Sequence, residues 1–493
     1  MTAISKLQNS AFGKRYLGNK AFYMTVLGLI VPIIVQNSIS NFVSLLDNIM
    51  VGADSTAQMS GVSIANNLIF IYTLTIFGGM SAATIFAAQY YGAGDENGVR
   101  YSFRYSMYVG VAVTVIATAI LGFFTEELVQ LFINDVENTG GGEETLQAAS
   151  NYVKVMLLGL FPFAVSQAYA GILRVEGEAK LPMVASIASV LINLVLNYVF
   201  IFGHLGFEPM HAKGAAVATV IARYVEMLMI VLVAHYRQKR YSLYMFLDGA
   251  YRSLTIPVNL LKKILIRGVP LLLNEALWSL GMTTLNQQYS LRGLNVVAAL
   301  TVATTLSNLF TSFYLSMGTA VSVMVGRTLG SADMNESRTM ARKLIAFDIF
   351  LCVFVGLAMY ALAPLLPAAF TETDADVRAI AKNMIRVYAL SSPLIAFANC
   401  AYFTLRAGGR TVITFLFDSA YTWVVPLPLV FLLVNFTSLE IIPIYAAYYA
   451  SDIVKVVIGY ILLKKGIWIR NIVSELRQEN ANEEDRLGST EKC

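Results

Sequence analysis

Residues 89–104 read QYYGAGDENGVRYSFR, and residues 327–342 read RTLGSADMNESRTMAR. Laid over each other at an offset of 238, Gly92, Asp95, Asn97, Arg100 and Arg104 meet Gly330, Asp333, Asn335, Arg338 and Arg342. The same offset pairs Val31 and Pro32 with Val269 and Pro270, Ala65 with Ala303, Leu68 with Leu306, Thr73 with Thr311, and Ala82 with Ala320. Farther along, residues 173–177 (LRVEG) meet residues 405–409 (LRAGG) at an offset of 232. The second copy has therefore lost a few residues. The expected place is the loop holding Gly140, Gly141 and Gly142, because exposed loops tolerate changes of length.

Composition says what is duplicated. Apolar residues make up 57% of the 493 positions and charged residues 13%, about half the charged share of an ordinary soluble domain. One buried core cannot absorb that surplus. A bilayer can, because a run of about 20 apolar residues crosses the hydrocarbon as a helix that satisfies its own backbone. The predicted spans are 21–48, 57–88, 101–124, 149–173, 181–203, 213–234, 264–289, 296–326, 343–366, 383–406, 411–434 and 440–464. The expected fold is an all-α integral membrane protein, twelve transmembrane helices in two pseudo-symmetric six-helix lobes. Its parts are an N-terminus (1–20), an N-lobe (21–235), a linker (236–263), a C-lobe (264–465) and a tail (466–493). Each copy holds an even number of spans, so both run the same way about an axis along the membrane normal. Two such lobes would enclose a central cleft.

Lys and Arg in short loops set orientation. Basic residues follow every even-numbered span: Arg100 and Arg104, Arg174 and Lys180, Arg237 to Arg267, Arg327 to Lys343, Arg406 and Arg410, and Lys464 and Lys465. Acidic residues such as Glu126, Glu127, Asp135 and Asp376 follow odd-numbered spans. A multi-pass protein of the cell membrane with both termini cytoplasmic is expected, with the first span retained rather than cleaved. The net charge of +4 is then a matter of topology, and no nucleic-acid partner is expected. The tail from Ser474 is polar and charge-rich and reads as disordered or a short solvated helix.

Several chemistries have no footing. Cys352 and Cys400 lie inside spans and Cys493 at the terminus, so neither a disulfide framework nor a metal cluster is expected. His204, His211 and His235 sit at span ends or in loops. The run Gly92 to Asp95 lacks the lysine of a phosphate-binding loop. With no nucleotide motif and no catalytic constellation, the chain reads as a transporter driven by an ion gradient, not as an enzyme. One charge moved through 100 mV is worth about 2.3 kcal/mol.

Residues 46–52 (LDNIMVG) resemble the close of helix 1 in multidrug and toxic compound extrusion (MATE) transporters. Residues 89–95 (QYYGAGD) resemble the close of helix 2, and residues 173–177 and 405–409 resemble that family's paired LRaaG segments. The likeness runs through nearly the whole chain. It implies cation-coupled antiport, by H+ or Na+ and with no other cofactor, of drugs or other organic, often cationic, compounds. It also implies a coupling carboxylate at Asp47, working with Asn193 and Asn197 on helix 5. There the sequence departs from many relatives, which carry Asp where Asn197 stands, so a two-carboxylate site is reduced to one. Sodium-coupled members also carry a helix 7 Glu about one turn from Glu275, and a helix 10 Asp whose nearest counterpart here is Asn399.

An ionised side chain at the bilayer centre costs about 2.5–3.5 kcal/mol on insertion scales, so each calls for a reason. Asp452 with Lys455, and Arg223 with Glu226, are three residues apart and can neutralise each other on one helix face. Asp348 and Asp418 lie near the basic side, within reach of Arg342 or Arg410. Asp47 has no basic residue within a turn; the alternative to a functional role is an interfacial helix cap. Glu275 likewise has no cation close in sequence. Asp47 and Glu275, with Asn193 and Asn197, are the candidate ion-coupling residues. Gln36, Asn37, Asn274, Trp278 and Asn399 are candidates for substrate contact, and rings such as Tyr72, Tyr289, Tyr314, Tyr402, Tyr421 and Trp423 could face an organic cation. The expected partners are a small organic substrate, the coupling cation and the bilayer, with the protein a monomer. A lipid-linked oligosaccharide flippase of the same superfamily is the alternative; its cleft would carry more basic residues.

Overall fold

Backbone groups in a bilayer must be satisfied within the chain, and among the described residues every regular element is helical. A computed structural model describes residues 11–52, 56–133, 142–367 and 374–490. The first six membrane helices are α1 (Lys20–Gly52), α2 (Thr56–Gly92), α3 (Glu96–Phe123), α4 (Gly142–Val175), α5 (Lys180–Phe202) and α6 (His211–Tyr241). The second six are α7 (Val258–Ser290), α8 (Leu294–Gly330), α9 (Met334–Leu362), α10 (Ala375–Ala407), α11 (Thr411–Phe436) and α12 (Ile441–Lys465). A further helix, α13 (Ile472–Thr490), ends the described chain. Eleven of these are long and apolar enough to cross a membrane as they stand, and α8, bent by 45° between Asn308 and Phe310, makes twelve. The expected architecture of twelve spans in two repeats is the one observed. Of the loop expected to account for the shorter second copy, Gly140 and Gly141 lie outside the described residues and Gly142 opens α4.

Helix ends overrun the apolar windows. α9 starts at Met334 rather than 343, and α10 at Ala375 rather than 383, because their first turns are amphipathic and hydropathy does not register them. Asp333 caps α9, its carboxylate accepting from the N–H groups of Asn335 and Glu336 at 3.0 and 2.8 Å, the usual service of Asp at this position. Its repeat mate Asp95 follows Gly94, whose φ of +68° is the left-handed turn that glycine adopts without cost.

By contacts the chain forms two compact units. One comprises Pro32–Thr84 and Glu96–Pro257, the other Met1–Val31, Ile85–Asp95 and Val258–Cys493. In the first, Tyr72 is buried and its hydroxyl is held between Thr114 Oγ1 and the Leu160 carbonyl, at 2.9 and 2.8 Å. It is a core residue and not an open ring face for a ligand. Buried Arg104 sends its guanidinium to the carbonyls of Gly249, Ala250 and Thr255, all within 2.9 Å. Glu178, Arg237 and Tyr244 meet at 3.0–3.2 Å, and burial pushes the Tyr244 hydroxyl above its ordinary pKa. The segment after α6 is therefore tied down by the arginine of the repeated motif.

In the second unit the motif glycines have a packing reason. A Cβ on Gly92 would lie 1.9 Å from the Arg327 carbonyl oxygen, and a Cβ on Gly330 would lie 1.9 Å from that of Gln89. Gln89 and Arg327, like Gly92 and Gly330, are repeat mates, so the ends of α2 and α8 cross as a symmetric pair at backbone contact. Gly330→Ala is expected to force these backbones apart and to cost at least about 1–3 kcal/mol. Gly28→Ala, where nothing lies within 4 Å, should be neutral or slightly stabilising, since alanine is the better helix former. Thermal unfolding of the two variants in detergent compares them directly.

The tail forms a helix, one of the two expected forms, but its first turns are not solvated. Ile472, Val473 and Leu476 are buried, and the first turns of α13 are bolted to the end of α2: Gln89 donates to the carbonyls of Ala407 and Arg470 and accepts from the Ile472 N–H at 2.7 Å. Starting the tail at Ser474 left out two of the three apolar anchors, and the charge-rich stretch that follows masked the third.

Candidate functional site

Asp47, on α1, is half-buried. Asn193 and Asn197 lie one turn apart on α5 and so share a face. Asn197 donates to Asp47 Oδ1 at 2.5 Å. The Asn193 amide is assigned with its nitrogen toward the same carboxylate oxygen, at 3.2 Å, because the opposite orientation would set oxygen against oxygen. Its oxygen then accepts from the Thr219 N–H and hydroxyl, at 3.3 and 3.2 Å. Thr219, on α6, is also a hydrogen-bond partner of buried Tyr152 on α4. One carboxylate is thus ringed by two amide donors, and no ion pair reaches it among the described residues. The Asn197 side-chain oxygen is buried and unpartnered among them. Carboxylate, amide and hydroxyl oxygens are the donors that hard, small cations prefer. The three residues expected to meet do meet. Thr219 was not foreseen, since a lone threonine on a neighbouring helix has no pattern to mark it.

Glu275 has a different setting from the one expected. Arg406, the penultimate residue of α10 and buried, places Nη1 3.7 Å from Glu275 Oε1. Tyr402 links the two, donating to Glu275 at 3.3 Å and accepting from Arg406 at 3.1 Å. The Asn274 amide nitrogen reaches Tyr402 Oη at 3.2 Å and Asp418 Oδ2 at 3.1 Å, and its oxygen accepts from Ser419 Oγ at 2.8 Å. Lys455 on α12 closes the chain, 2.7 Å from Asp418 Oδ1. Glu275, Arg406, Asp418 and Lys455 form a network of two acids and two cations across four helices, with Asp452 also within electrostatic reach of Lys455 and Asp418.

A local break in α11 builds part of it. Residues Leu416–Ala420 form one wide turn of π-helix, a feature that recurs at functional sites. It lets the consecutive residues Asp418 and Ser419 both reach Asn274, the Ser419 N–H donating to Asn274 Oδ1 at 3.3 Å.

Several pairings are thereby corrected. Lys455 takes Asp418 rather than its helix neighbour Asp452 as its closest partner, because the long side chain can reach across helices. Arg410 donates to the Ile467 carbonyl, not to Asp418. Arg223 and Glu226 do attract each other as expected, but their hydrogen bonds go elsewhere, Arg223 to the Gly159 carbonyl, with its guanidinium over the Phe163 ring, and Glu226 to Ser186. Asp348 is fully buried and accepts from the thiols of Cys352 and Cys400 at 3.5 and 3.1 Å, not from Arg342. In the first repeat, Arg174 donates to Gln36 at 3.0 Å. Arg174 and Arg406, assigned to loops by their charge, are inward-facing helix residues.

Among the residues expected to contact substrate, Gln36 and Asn274 spend their amides on protein partners as described, and Asn399 donates to the Tyr314 carbonyl at 2.6 Å. Asn37 is half-buried, and Trp278 is 38% exposed. Of the other rings, Tyr289 is buried, Tyr421 bonds the Ser451 carbonyl, and Trp423 bonds that of Leu277.

The MatE family profile matches residues 32–199 and 270–432, one block in each repeat. A probable multidrug resistance protein, NorM, of Thermotoga maritima is 24% identical over 450 residues, covering 91% of this chain and 93% of its own. Another, YoeA of Bacillus subtilis, is 26% identical over 436 residues, covering 87% and 91%. An outward-facing structure of a multidrug resistance MATE family transporter of the MOP superfamily superposes with a TM-score of 0.80 at 21% identity, covering 90% of this chain and 95% of that one. With both repeats matched and the fold shared, the chain belongs to the MatE family of membrane transporters.

Proposed function

We propose that the protein exports small organic, often cationic, compounds across the cell membrane in exchange for H+ or Na+, with Asp47 as the coupling carboxylate. The observation that carries this reading is the pairing state of the two candidate acids. Glu275 is already paired with Arg406, whereas Asp47, among the described residues, meets only neutral amide donors. Of these two acids, an incoming cation or proton gains more at the one with no cation beside it. The named activities of the relatives, multidrug resistance proteins, support the substrate class.

The coupling step follows from the hydrogen bonds. With Asp47 ionised, Asn193 and Asn197 turn their amide nitrogens to it. A bound Na+ favours their oxygens instead, and a proton removes the charge that holds the amides in place. Either event changes how α1 is tied to α5 and α6. A ligand shifts a two-state equilibrium only by its different affinity for the two states, so the rocking of the two repeats between outward-open and inward-open forms is driven by this exchange of partners.

Dye retention tests the reading. Cells expressing the protein should expel a fluorescent organic cation, and an ionophore that collapses the coupling gradient should stop export while ATP remains. Export that survives the ionophore contradicts ion coupling. Thr219→Val removes the hydroxyl that orients Asn193 and keeps the side-chain volume. It should raise the ion concentration for half-maximal transport by roughly 3–10-fold, the cost of one hydrogen bond of about 1 kcal/mol, with the maximal rate little changed.

A further inference from the structure

At the ends of α7 and α11, on the side marked cytoplasmic by the basic loops, a cavity of about 360 Å³ opens between the start of α7, the start of α11 and the first turns of α13. Four cations line it: Lys263 and Arg267 from α7, Arg410 before α11 and Arg470 before α13. Glu475 and Glu479, both on α13, are the acids in its wall.

Pairing leaves charge over. Glu475 takes both Arg470 and Arg267, the latter at 3.8 Å, and Glu479 takes Lys263. Arg410 spends its Nε on the Ile467 carbonyl. Two carboxylates thus face four cations. Arg267 Nη1 is in addition buried without a hydrogen-bond partner among the described residues, an expensive state for a charged donor. Arg410 and Arg470 both lie close enough to Arg267 to repel it. An anion with several acceptor oxygens would relieve all three guanidiniums at once.

The rim indicates what carries that anion. Ile266 and Val412, which also line the cavity, are 60% and 58% exposed on membrane helices, so the cationic pocket runs into an apolar surface where acyl chains lie. We propose that this cavity binds the phosphodiester headgroup of an anionic phospholipid of the cytoplasmic leaflet, the headgroup among the guanidiniums and the chains along Ile266 and Val412. Basic pockets between helices on this side are suited to such headgroups. The bound lipid would tie α13 to α7 and α11. This inference stands apart from the identity of the substrate and of the coupling ion.

Native mass spectrometry of the full-length protein in detergent, titrated separately with phosphatidylglycerol, phosphatidylcholine and inorganic phosphate, tests it. Phosphatidylglycerol should bind at least about tenfold more tightly than phosphatidylcholine, and Arg267→Gln combined with Arg410→Gln should weaken it by about tenfold or more. Glu479→Gln alters an exposed residue and needs no repacking. By releasing Lys263 it should tighten phosphatidylglycerol binding. Equal binding of the two lipids, or affinity for phosphatidylglycerol unchanged in both variants, overturns the proposal. So does inorganic phosphate binding as tightly as the lipid, which would assign the pocket to a free anion.

Discussion

Asp47→Asn protein is expected to insert, fold and bind substrate, and to lose the ability to concentrate it. In one-for-one exchange of a monovalent substrate against a monovalent ion, a tenfold ion gradient sustains a tenfold opposing substrate gradient, about 1.4 kcal/mol. The wild-type protein should reach about that ratio and the variant about unity. The substitution keeps the shape of the side chain and removes only its charge. Asn193 and Asn197 lose a carboxylate acceptor but keep an amide oxygen in its place, so the fold should be spared. Uptake of a fluorescent organic cation, with protein quantity and thermal midpoint measured in parallel, separates lost coupling from lost protein. A well-folded Asp47→Asn protein that still concentrates substrate tenfold removes Asp47 from the mechanism.

Arg406→Gln should have the largest effect on stability. In the Glu275–Arg406 pair Arg406 is buried and Glu275 largely so, with side chains 5% and 13% exposed. Removing one partner of a buried pair leaves the other charge uncompensated, at a cost of about 3–5 kcal/mol. Tyr402 loses a donor as well. Glu275→Gln introduced alongside should recover much of that loss, since two neutral amides can share the Tyr402 hydroxyl. The coupling is read from a double-mutant cycle of unfolding midpoints in detergent. Additive single effects would mean that the two charges do not sense each other, and the network would no longer explain the difference between Glu275 and Asp47.

The twelve spans and their duplication are legible in the sequence because the bilayer leaves the backbone little choice. A repeated motif such as Gly92 to Arg104 is likewise visible, although its purposes are not. Gly92 and Gly330 serve a backbone crossing, Asp333 a helix cap, and Arg104 a clamp on the segment after α6. The polar cluster at Asp47 was legible where spacing along one helix makes faces, as with Asn193 and Asn197, and illegible where a third helix contributes a single threonine.

Charge was read least well. Arg406 satisfied the loop pattern that sets orientation, and that sufficient reason hid its second role against Glu275. Lys455 had an acid three residues away, so the in-helix pair looked complete. The partner it takes, Asp418, is aimed by a π-helical turn that no local propensity marks. Long side chains at helix ends choose partners across space, and only the packed structure reveals which. The same holds for α13, whose buried first turn precedes a stretch that composition alone leaves as disordered or a solvated helix.

An ion gradient acting through Asp47 is expected to drive substrate uphill. Proteoliposomes holding either wild-type or Asp47→Asn protein, loaded with a fluorescent organic cation on both sides, can be given a pH gradient or a sodium gradient separately. One of the two gradients should make the wild-type protein move the cation against its own gradient, and neither should do so with Asp47→Asn. Uphill movement by both proteins, or by neither under either gradient, would contradict it.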